Sequence, residues 1–361
     1  MFESRQAWND ALSSILNSEK LFETRFRSIF WVLSHTLCSC VLVSQFALNT
    51  DHDKRSNVNI HFSKCGLLWL SKEVAAKNCS RILKEHGVNH RLLEGHEVQK
   101  EFPQFRYDDN WFGLVDPEGG VLYADKCLKA VQDLAQKFGA KFKFEETVKQ
   151  LQSEKGAVVV VTDKGVYKAK KVVVTVGGWL NQVLPDLHDT VETQAEQVAV
   201  DYWKVERNPE FYDNGNCPTV VIEESEDILY MLPPVDYPGH IKFCLHAGEP
   251  IDPNKPLSSI PDWLHEAVKN HIAEHLPDID GSKPAIVDNC IYTVTKDTHY
   301  VIGSYPGDSR ILVGGGFSGS GFKLSISMGR ILADLANGRN EEEVVPDLFK
   351  VKRKRLPYSG W

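Results

Sequence analysis

The sequence predicts an α/β (α+β) fold, and two patterns support this. Short apolar strands alternate with amphipathic helical patterns around residues 115–190 and 300–340, as expected where helices cover a sheet. Longer runs with a period of two fill 191–247, for example QVAVDYW at 197–203, which is typical of an antiparallel or mixed sheet. With 361 residues, we expect two domains, one of which contains a large mixed or antiparallel sheet.

Individual elements follow from the same periodicities. A helix is predicted over 123–138, because Leu128, Val131 and Leu134 share one face and Gly139 provides a stop. A second amphipathic helix is predicted over 262–276. The apolar runs predict strands, with a turn at Asp163-Lys164-Gly165, over 141–144, 157–162, 166–168, 171–176 and 311–313.

Composition and charge exclude several classes of protein. The net charge of −8 gives no reason to expect a nucleic-acid partner. The eight cysteines form no Cys-x-x-Cys pair and no repeated Cys/His spacing, so we expect no metal site and no disulfide scaffold. An intracellular, reducing compartment is therefore the default, and the C-terminal Ser-Gly-Trp is not an S-K-L type peroxisomal signal.

One uncharged apolar segment, residues 28–50, is long enough to cross a bilayer. Arg25 and Arg27 precede it and Asp51 follows, as in a signal anchor. Several polar residues interrupt the segment, and a signal peptide would begin nearer Met1. A membrane anchor is therefore the less favoured alternative, and only this segment offers a membrane contact.

A glycine-rich loop near the C-terminus is the sharpest local motif. The strand 311–313 runs into Gly-Gly-Gly-Phe-Ser-Gly at 314–319, which satisfies G-x-G-x-x-G, and a helix follows. Such a turn directs backbone N–H groups and a helix dipole at an electron-rich ligand. A dinucleotide fingerprint also needs a second strand with an acidic residue about 20 residues further on, and no such strand follows here. We expect a ligand other than a conventionally bound pyrophosphate, the alternative being a tight turn without a ligand.

Two motifs carry a resemblance to a known family. They are CIYTVTKD at 290–297 and GFSGSGFK at 316–323. Over about 63–337 the chain resembles the monomeric sarcosine oxidase and L-pipecolate oxidase family of FAD-dependent amine oxidases. The resemblance implies an FAD held by a thioether from Cys290. It also implies flavin contacts from the loop residues Gly316, Phe317, Ser318, Gly319, Ser320, Gly321 and Lys323.

Further segments resemble the family upstream. The resemblance implies that Tyr230 and His246 line the amine pocket, Lys323 pairs with the substrate carboxylate, and Lys242 assists the reaction with oxygen. It also places Gly177, Gly178 and Trp179 near the cofactor and the backbone of Val148 at its adenine end.

Each of these residues has a structural alternative. Cys290 is then a small buried residue, and Tyr230 and His246 are packing residues of the core. Lys242 can extend to solvent. One departure stands inside the signature itself, because Ser320 replaces the family's histidine and cannot carry a positive charge.

The family's N-terminal FAD-binding βαβ unit is not recognisable here. Residues 2–12 resemble the helix that follows that unit, residues 15–56 show no family register, and residues 58–70 resemble the next strand. A truncated or mis-spliced product is the simplest hypothesis. The resemblance implies an atypical region 1–56, a substrate domain with the large sheet at 57–114 and 191–299, an incomplete FAD-binding Rossmann-like domain at 115–190 and 300–340, and a tail 341–361.

The function implied by the resemblance is oxidation of a secondary amino acid, such as sarcosine or pipecolate, to an imine, with reduction of oxygen to hydrogen peroxide. The partners would be a small amino-acid substrate and oxygen, and the protein would be a monomer in the cytoplasm or in peroxisomes. One alternative is a non-catalytic family member without flavin that acts as a binding or membrane-tethered remnant. Another is a dehydrogenase that passes electrons to a different acceptor.

Overall fold

The computed structural model describes residues 62–225 and 227–353. Their strands are β1 (Phe62–Ser63), β2 (Leu67–Lys72), β3 (Arg91–Glu94), β4 (Trp111–Asp116), β5 (Val121–Leu122), β6 (Val148–Glu154), β7 (Ala157–Thr162), β8 (Val166–Ala169), β9 (Val172–Val174), β10 (Thr193–Lys204), β11 (Thr219–Glu224), β12 (Asp227–Leu232), β13 (His240–Leu245), β14 (Glu249–Pro250), β15 (Ile286–Thr295), β16 (Val301–Tyr305) and β17 (Asp308–Gly315). The helices are α1 (Glu73–Glu85), α2 (Gly95–Glu101), α3 (Ala124–Lys137), α4 (Leu180–Val183), α5 (Trp263–His275), α6 (Gly321–Ala336) and α7 (Glu341–Val344).

A nine-stranded mixed sheet organises the described residues. Its order is β14-β10-β13-β12-β11-β2-β4-β3, and β15 also pairs with β10. β11 and β2 run parallel, whereas the other pairs in this sheet are antiparallel. The predicted combination of a large mixed sheet with helices, and hence the fold class, is confirmed. The division into domains stays a prediction.

The strand register divides side chains between two faces of this sheet. Cross-strand partners project to the same face, and the register pairs Tyr202 with Lys242 and Tyr230 with Cys244. On the opposite face Trp203 and Phe243 belong to the apolar core with residues of α5. The Trp203 indole donates a hydrogen bond to the Phe243 carbonyl oxygen at 2.8 Å, which satisfies its buried N–H.

A smaller sheet, β16-β17-β9, carries the glycine loop. β17 pairs in parallel with β9 and antiparallel with β16, and it leads through the loop into α6. Leu332 of α6 lies so close to Gly314 that a Cβ there would be 2.7 Å from its Cδ1. The helix therefore packs directly on the strand that precedes it. The remaining strands form an antiparallel sheet β6-β7-β8 and the pair β1-β5.

Most elements predicted from the sequence are confirmed, with one clear error. The helices predicted over 123–138 and 262–276 are α3 and α5, and the strands at 157–162 and 166–168 are β7 and β8. The strand predicted at 141–144 is wrong, because 141–143 have no regular structure. Phe142 and Phe144 are exposed there and stack on each other at 5.7 Å, so the alternation of apolar residues has no sheet to join.

Membrane association was expected only through residues 28–50, which lie outside the described residues. Within 62–225 and 227–353, no helix has the length and apolar character needed to span a bilayer. The predictions for residues 1–56 likewise fall outside the described part of the chain.

A buried ion pair joins the end of the described chain to the turn after β15. Arg353 donates to both carboxylate oxygens of Asp297, at 2.9 and 2.7 Å, and to the Tyr300 carbonyl oxygen at 2.7 Å. Both charged side chains are only 3% exposed. Burial alone would raise the pKa of Asp297, but the hydrogen bonds and charge of Arg353 outweigh it and hold that pKa below the usual value.

Replacing Arg353 by Met would leave the Asp297 carboxylate buried without its cation. We expect R353M to lower the free energy of unfolding by about 3–5 kcal/mol, measured by urea denaturation. The control is R339M, which removes an ion pair with Asp334 that is 47% and 29% exposed and should cost less than about 1 kcal/mol. Equal losses in the two variants would contradict this view of the pair.

Candidate active site

The glycine loop adopts a conformation that depends on glycine. Gly316, Ser318 and Gly319 have φ values of 59°, 45° and 80°. A Cβ on Gly319 would overlap His246 and would lie 2.8 Å from Cε2 of Tyr292. The absence of a side chain therefore lets the loop backbone pack directly against these two rings.

Two hydrogen bonds join the loop to β15. The Ser318 N–H donates to the Thr293 carbonyl oxygen at 3.0 Å, and the Thr295 N–H donates to Ser318 Oγ at 3.3 Å. The other edge of β15 pairs with β10. The beginning of α6 is thereby fixed relative to the strand that carries Cys290 and Tyr292.

His246 and Lys323 meet where the loop contacts β15. His246 follows β13 directly, is 6% exposed, and its ring lies 5.5 Å from that of Tyr292. Lys323, also 6% exposed, lies in the first turn of α6, where a cation opposes the helix dipole. Burial, followed by the positive charge of Lys323, lowers the pKa of His246 to about 4. The imidazole is therefore neutral at pH 7 beside a buried cation.

Tyr230 and Lys242 lie on the same face of the large sheet. Tyr230 is 5% exposed and belongs to the apolar cluster against which Tyr292 packs. Lys242 lies on the neighbouring strand, with Nζ 3.5 Å from an Asp236 carboxylate oxygen and 5.5 Å from the centre of the Tyr202 ring. The side chain of Lys242 is 23% exposed, so it borders the site rather than being enclosed by it.

Cys290 stands in the same row as Tyr292, two residues away on β15. Its partner in β10 is Val198, and Cys290 itself is exposed, which rules out the alternative of a small buried residue. The turn Gly177–Trp179 packs beside it, since a Cβ on Gly178 would lie 2.9 Å from Cγ2 of Ile291. The turn, the thiol and the glycine loop are thus brought together along β15.

Two predicted residues have surroundings that the motif did not specify. Ser320 is buried, shares a 2.7 Å hydrogen bond with the Tyr300 hydroxyl, and donates to the Phe317 carbonyl oxygen at 3.0 Å. Its hydroxyl therefore stabilises the loop internally. Val148 begins β6 and pairs with Thr162, so it lies on a different sheet from Lys242 and Cys290.

Glu196 is a carboxyl group near the site that the motif comparison did not select. Glu196 on β10 is the cross-strand partner of Tyr292 on β15, so it lies on the same face of the sheet as Tyr292 and Cys290. Burial, followed by the charge of Glu249, raises the pKa of Glu196 to about 7. The sequence could have indicated this residue, because the alternation along 196–200 places a charged side chain on the same face as the apolar Val198 and Val200.

Comparison with known proteins identifies the family of this chain. The profile of the family described as FAD dependent oxidoreductase matches residues 43–335, so the match begins inside the stretch 15–56 for which no family register was predicted. A putative sarcosine oxidase of Caenorhabditis elegans is 37% identical over 292 residues, covering 77% of this chain and 73% of that protein. The peroxisomal sarcosine oxidase of Mus musculus is 32% identical, covering 75% and 70% of the two chains.

Among solved structures, the open form of NikD, an unusual amino acid oxidase essential for nikkomycin biosynthesis, is similar in fold. It has a TM-score of 0.66 and 22% identity, covering 79% of this chain and 77% of that one. The extent of the family match, together with relatives above 30% identity, decides the classification. The chain belongs to the FAD dependent oxidoreductase family and is related to proteins named sarcosine oxidase.

Proposed function

We propose that the protein is an FAD-dependent amine oxidase that converts a secondary amino acid, such as sarcosine or pipecolate, to an imine and reduces oxygen to hydrogen peroxide. The observation that carries the proposal is that neutral His246 lies beside both the buried Lys323 and the Tyr292 ring, on the side of the large sheet that also bears Cys290. The relatives named sarcosine oxidase support the same chemistry.

Lys323 would bind the substrate carboxylate. A buried ammonium group is stabilised by a nearby anion, and a charge-assisted hydrogen bond supplies this with defined geometry. His246 would contact the substrate amine as a neutral ring, because a second positive charge beside Lys323 is disfavoured. Tyr230 would form part of the pocket wall.

The residues present fit a flavin at this position. The loop Gly316–Lys323 would provide backbone N–H groups and the N-terminus of α6, which suit the electron-rich end of a flavin ring. Cys290 is exposed on the same face of the sheet as Tyr292, and its thiol would form the thioether. We also propose contacts from the Gly177–Trp179 turn and from the backbone of Val148. When bound, FAD would accept the hydride equivalent from the N–CH carbon of the substrate.

Lys242 would provide a positive charge for the reaction with oxygen, and its contacts with Asp236 and Tyr202 would hold it at the border of the site.

We further propose a monomeric, intracellular protein, in the cytoplasm or in peroxisomes. The two alternatives remain distinguishable in solution. A protein that cannot be loaded with FAD would favour the non-catalytic member, and dye reduction without oxygen consumption would favour the dehydrogenase.

Covalent attachment is tested by acid precipitation of the FAD-loaded protein. We expect the precipitate of the unchanged protein to remain yellow and that of C290S to lose its colour, because serine cannot form the thioether. The matched control is C127S, which alters a partly exposed cysteine of α3 and should leave the precipitate yellow. Flavin retained by precipitated C290S would exclude Cys290 as the attachment point.

Activity is tested by hydrogen peroxide release from the flavin-loaded protein with a panel of N-alkyl amino acids. We expect K323M to lower kcat/KM by roughly 10–100-fold, the range for loss of a hydrogen bond to a charged group. The control is K129M, which removes an exposed lysine paired with Asp133 and should leave kcat/KM unchanged. Peroxide release by K323M at the rate of the unchanged protein would exclude the carboxylate role.

The lowered pKa of His246 predicts a pH dependence of stability. The usual pKa of 6.5 falls to about 4 in the folded protein, so the unfolded chain takes up the proton first and stability is lost as pH falls from about 6.5 to 4. We expect the free energy of unfolding of H246Q to fall by on the order of 1–3 kcal/mol less than that of the unchanged protein over this pH interval. The measurement is urea denaturation at several pH values. Because His299 also has a lowered pKa and is present in both proteins, parallel pH profiles would mean that His246 contributes nothing.

A further inference from the structure

We propose that Glu224, His271 and His275 form a binding site for a divalent transition metal, zinc above all. The site lies on the face of the large sheet opposite Tyr230 and Lys242, so it is separate from the candidate active site. It was not expected from the sequence, which predicted no metal site.

The backbone brings the three residues together from two elements. Glu224 is the last residue of β11, and His271 and His275 are one turn apart on α5, so both imidazoles lie on the same side of the helix. One potential ligand atom from each residue lies within 4.8 Å of the others. The histidines are 2% and 4% exposed.

The hydrogen bonding of His275 leaves the lone pair of Nε2 available to a metal ion. Its Nδ1 lies 2.6 Å from the Arg106 carbonyl oxygen, which can only accept, so the ring proton is on Nδ1 and the lone pair is on Nε2. Nε2 is buried and has no hydrogen-bond partner within the described part of the chain. An unsatisfied buried acceptor costs about 1–3 kcal/mol, whereas a metal ion would use it. A histidine that binds a metal usually donates its other ring N–H to a carbonyl or carboxylate oxygen in this way.

His271 is held in a similar way. Its Nδ1 lies 3.0 Å from Glu224 Oε2, and its Nε2 lies 2.8 Å from the Tyr107 hydroxyl. A metal ion would replace the proton between Nδ1 and the carboxylate. That proton would move to Nε2, which would then donate to the Tyr107 oxygen, so the ring stays neutral and no net proton is released.

The set of ligands favours zinc. Two imidazole nitrogens and one carboxylate oxygen are typical zinc ligands, and a water molecule would complete four-coordination. The Glu224 side chain is 38% exposed, which gives the water and the ion a route from solvent. Glu274 Oε1, 3.7 Å from His275 Nε2, is an alternative fourth ligand. The bound ion would join α5 to β11 and thereby stabilise the packing of the helix on the sheet.

The test uses the full chain, dialysed against a chelator and titrated with Zn²⁺, with bound metal measured by equilibrium dialysis and with Co²⁺ as a spectroscopic substitute. We expect one equivalent of Zn²⁺ to bind and a tetrahedral Co²⁺ absorption spectrum. H275Q should abolish both. Y107F keeps the ring but removes the oxygen that accepts from His271, and should weaken binding roughly 10–100-fold.

The matched control is H96Q. His96 also stands beside carboxylates, with Nδ1 2.7 Å from Asp109 and 3.9 Å from Glu94, but it is 61% exposed. We expect H96Q to bind metal as the unchanged protein does. Absence of saturable binding, or equal binding by H275Q and the unchanged protein, would overturn the proposal, as would loss of binding in H96Q. None of these measurements requires flavin or substrate, so the outcome is independent of the proposed oxidase activity.

Discussion

The candidate active site depends on β15 being hydrogen-bonded on both of its edges. One edge pairs with β10 over ten residues, from Ile286 to Thr295. The other edge receives the glycine loop through Ser318, which bonds to Thr293 and Thr295. This strand thereby connects the large sheet to the smaller sheet that leads into α6. Cys290 and Tyr292 lie on β15 itself, and the glycine loop, the Gly177–Trp179 turn and His246 each contact this strand.

The large sheet separates two chemical environments. On one face, Tyr230, Lys242 and Cys290 accompany a buried lysine and a neutral histidine. On the other, α5 covers an apolar core in which Tyr107 stacks on His275 at 4.5 Å. Successive residues of β12 and β13 contribute alternately to the two faces, so Lys242 borders the candidate active site while its neighbour Phe243 lies in the apolar core. The separation follows directly from the geometry of a β-strand.

The sequence was informative where chemistry depends on a contiguous motif. The glycine loop and the segment around Cys290 predicted residues that the structure brings to one strand. The prediction was weaker where burial depends on distant elements. Residues 141–144 have a strand-like pattern, yet no strand pairs with them, and Phe142 and Phe144 stay exposed. Glu224 and His271 are 47 residues apart, and only the packing of α5 on the sheet brings them together. The spacing of His271 and His275 was visible in the sequence, but its third partner was not.

The shared register of β10 has a consequence for how this chain can change during evolution. Side chains of β10 alternate between the two faces, so inserting or deleting one residue within it would exchange the faces of every residue beyond that point. Both environments would be altered by the same event, although they share no side chain. Length variation among descendants of this gene should therefore concentrate in connections such as 206–218, while substitutions accumulate within the strands. The side chains on either face of the sheet can change independently, whereas the length of β10 is constrained by both faces at once.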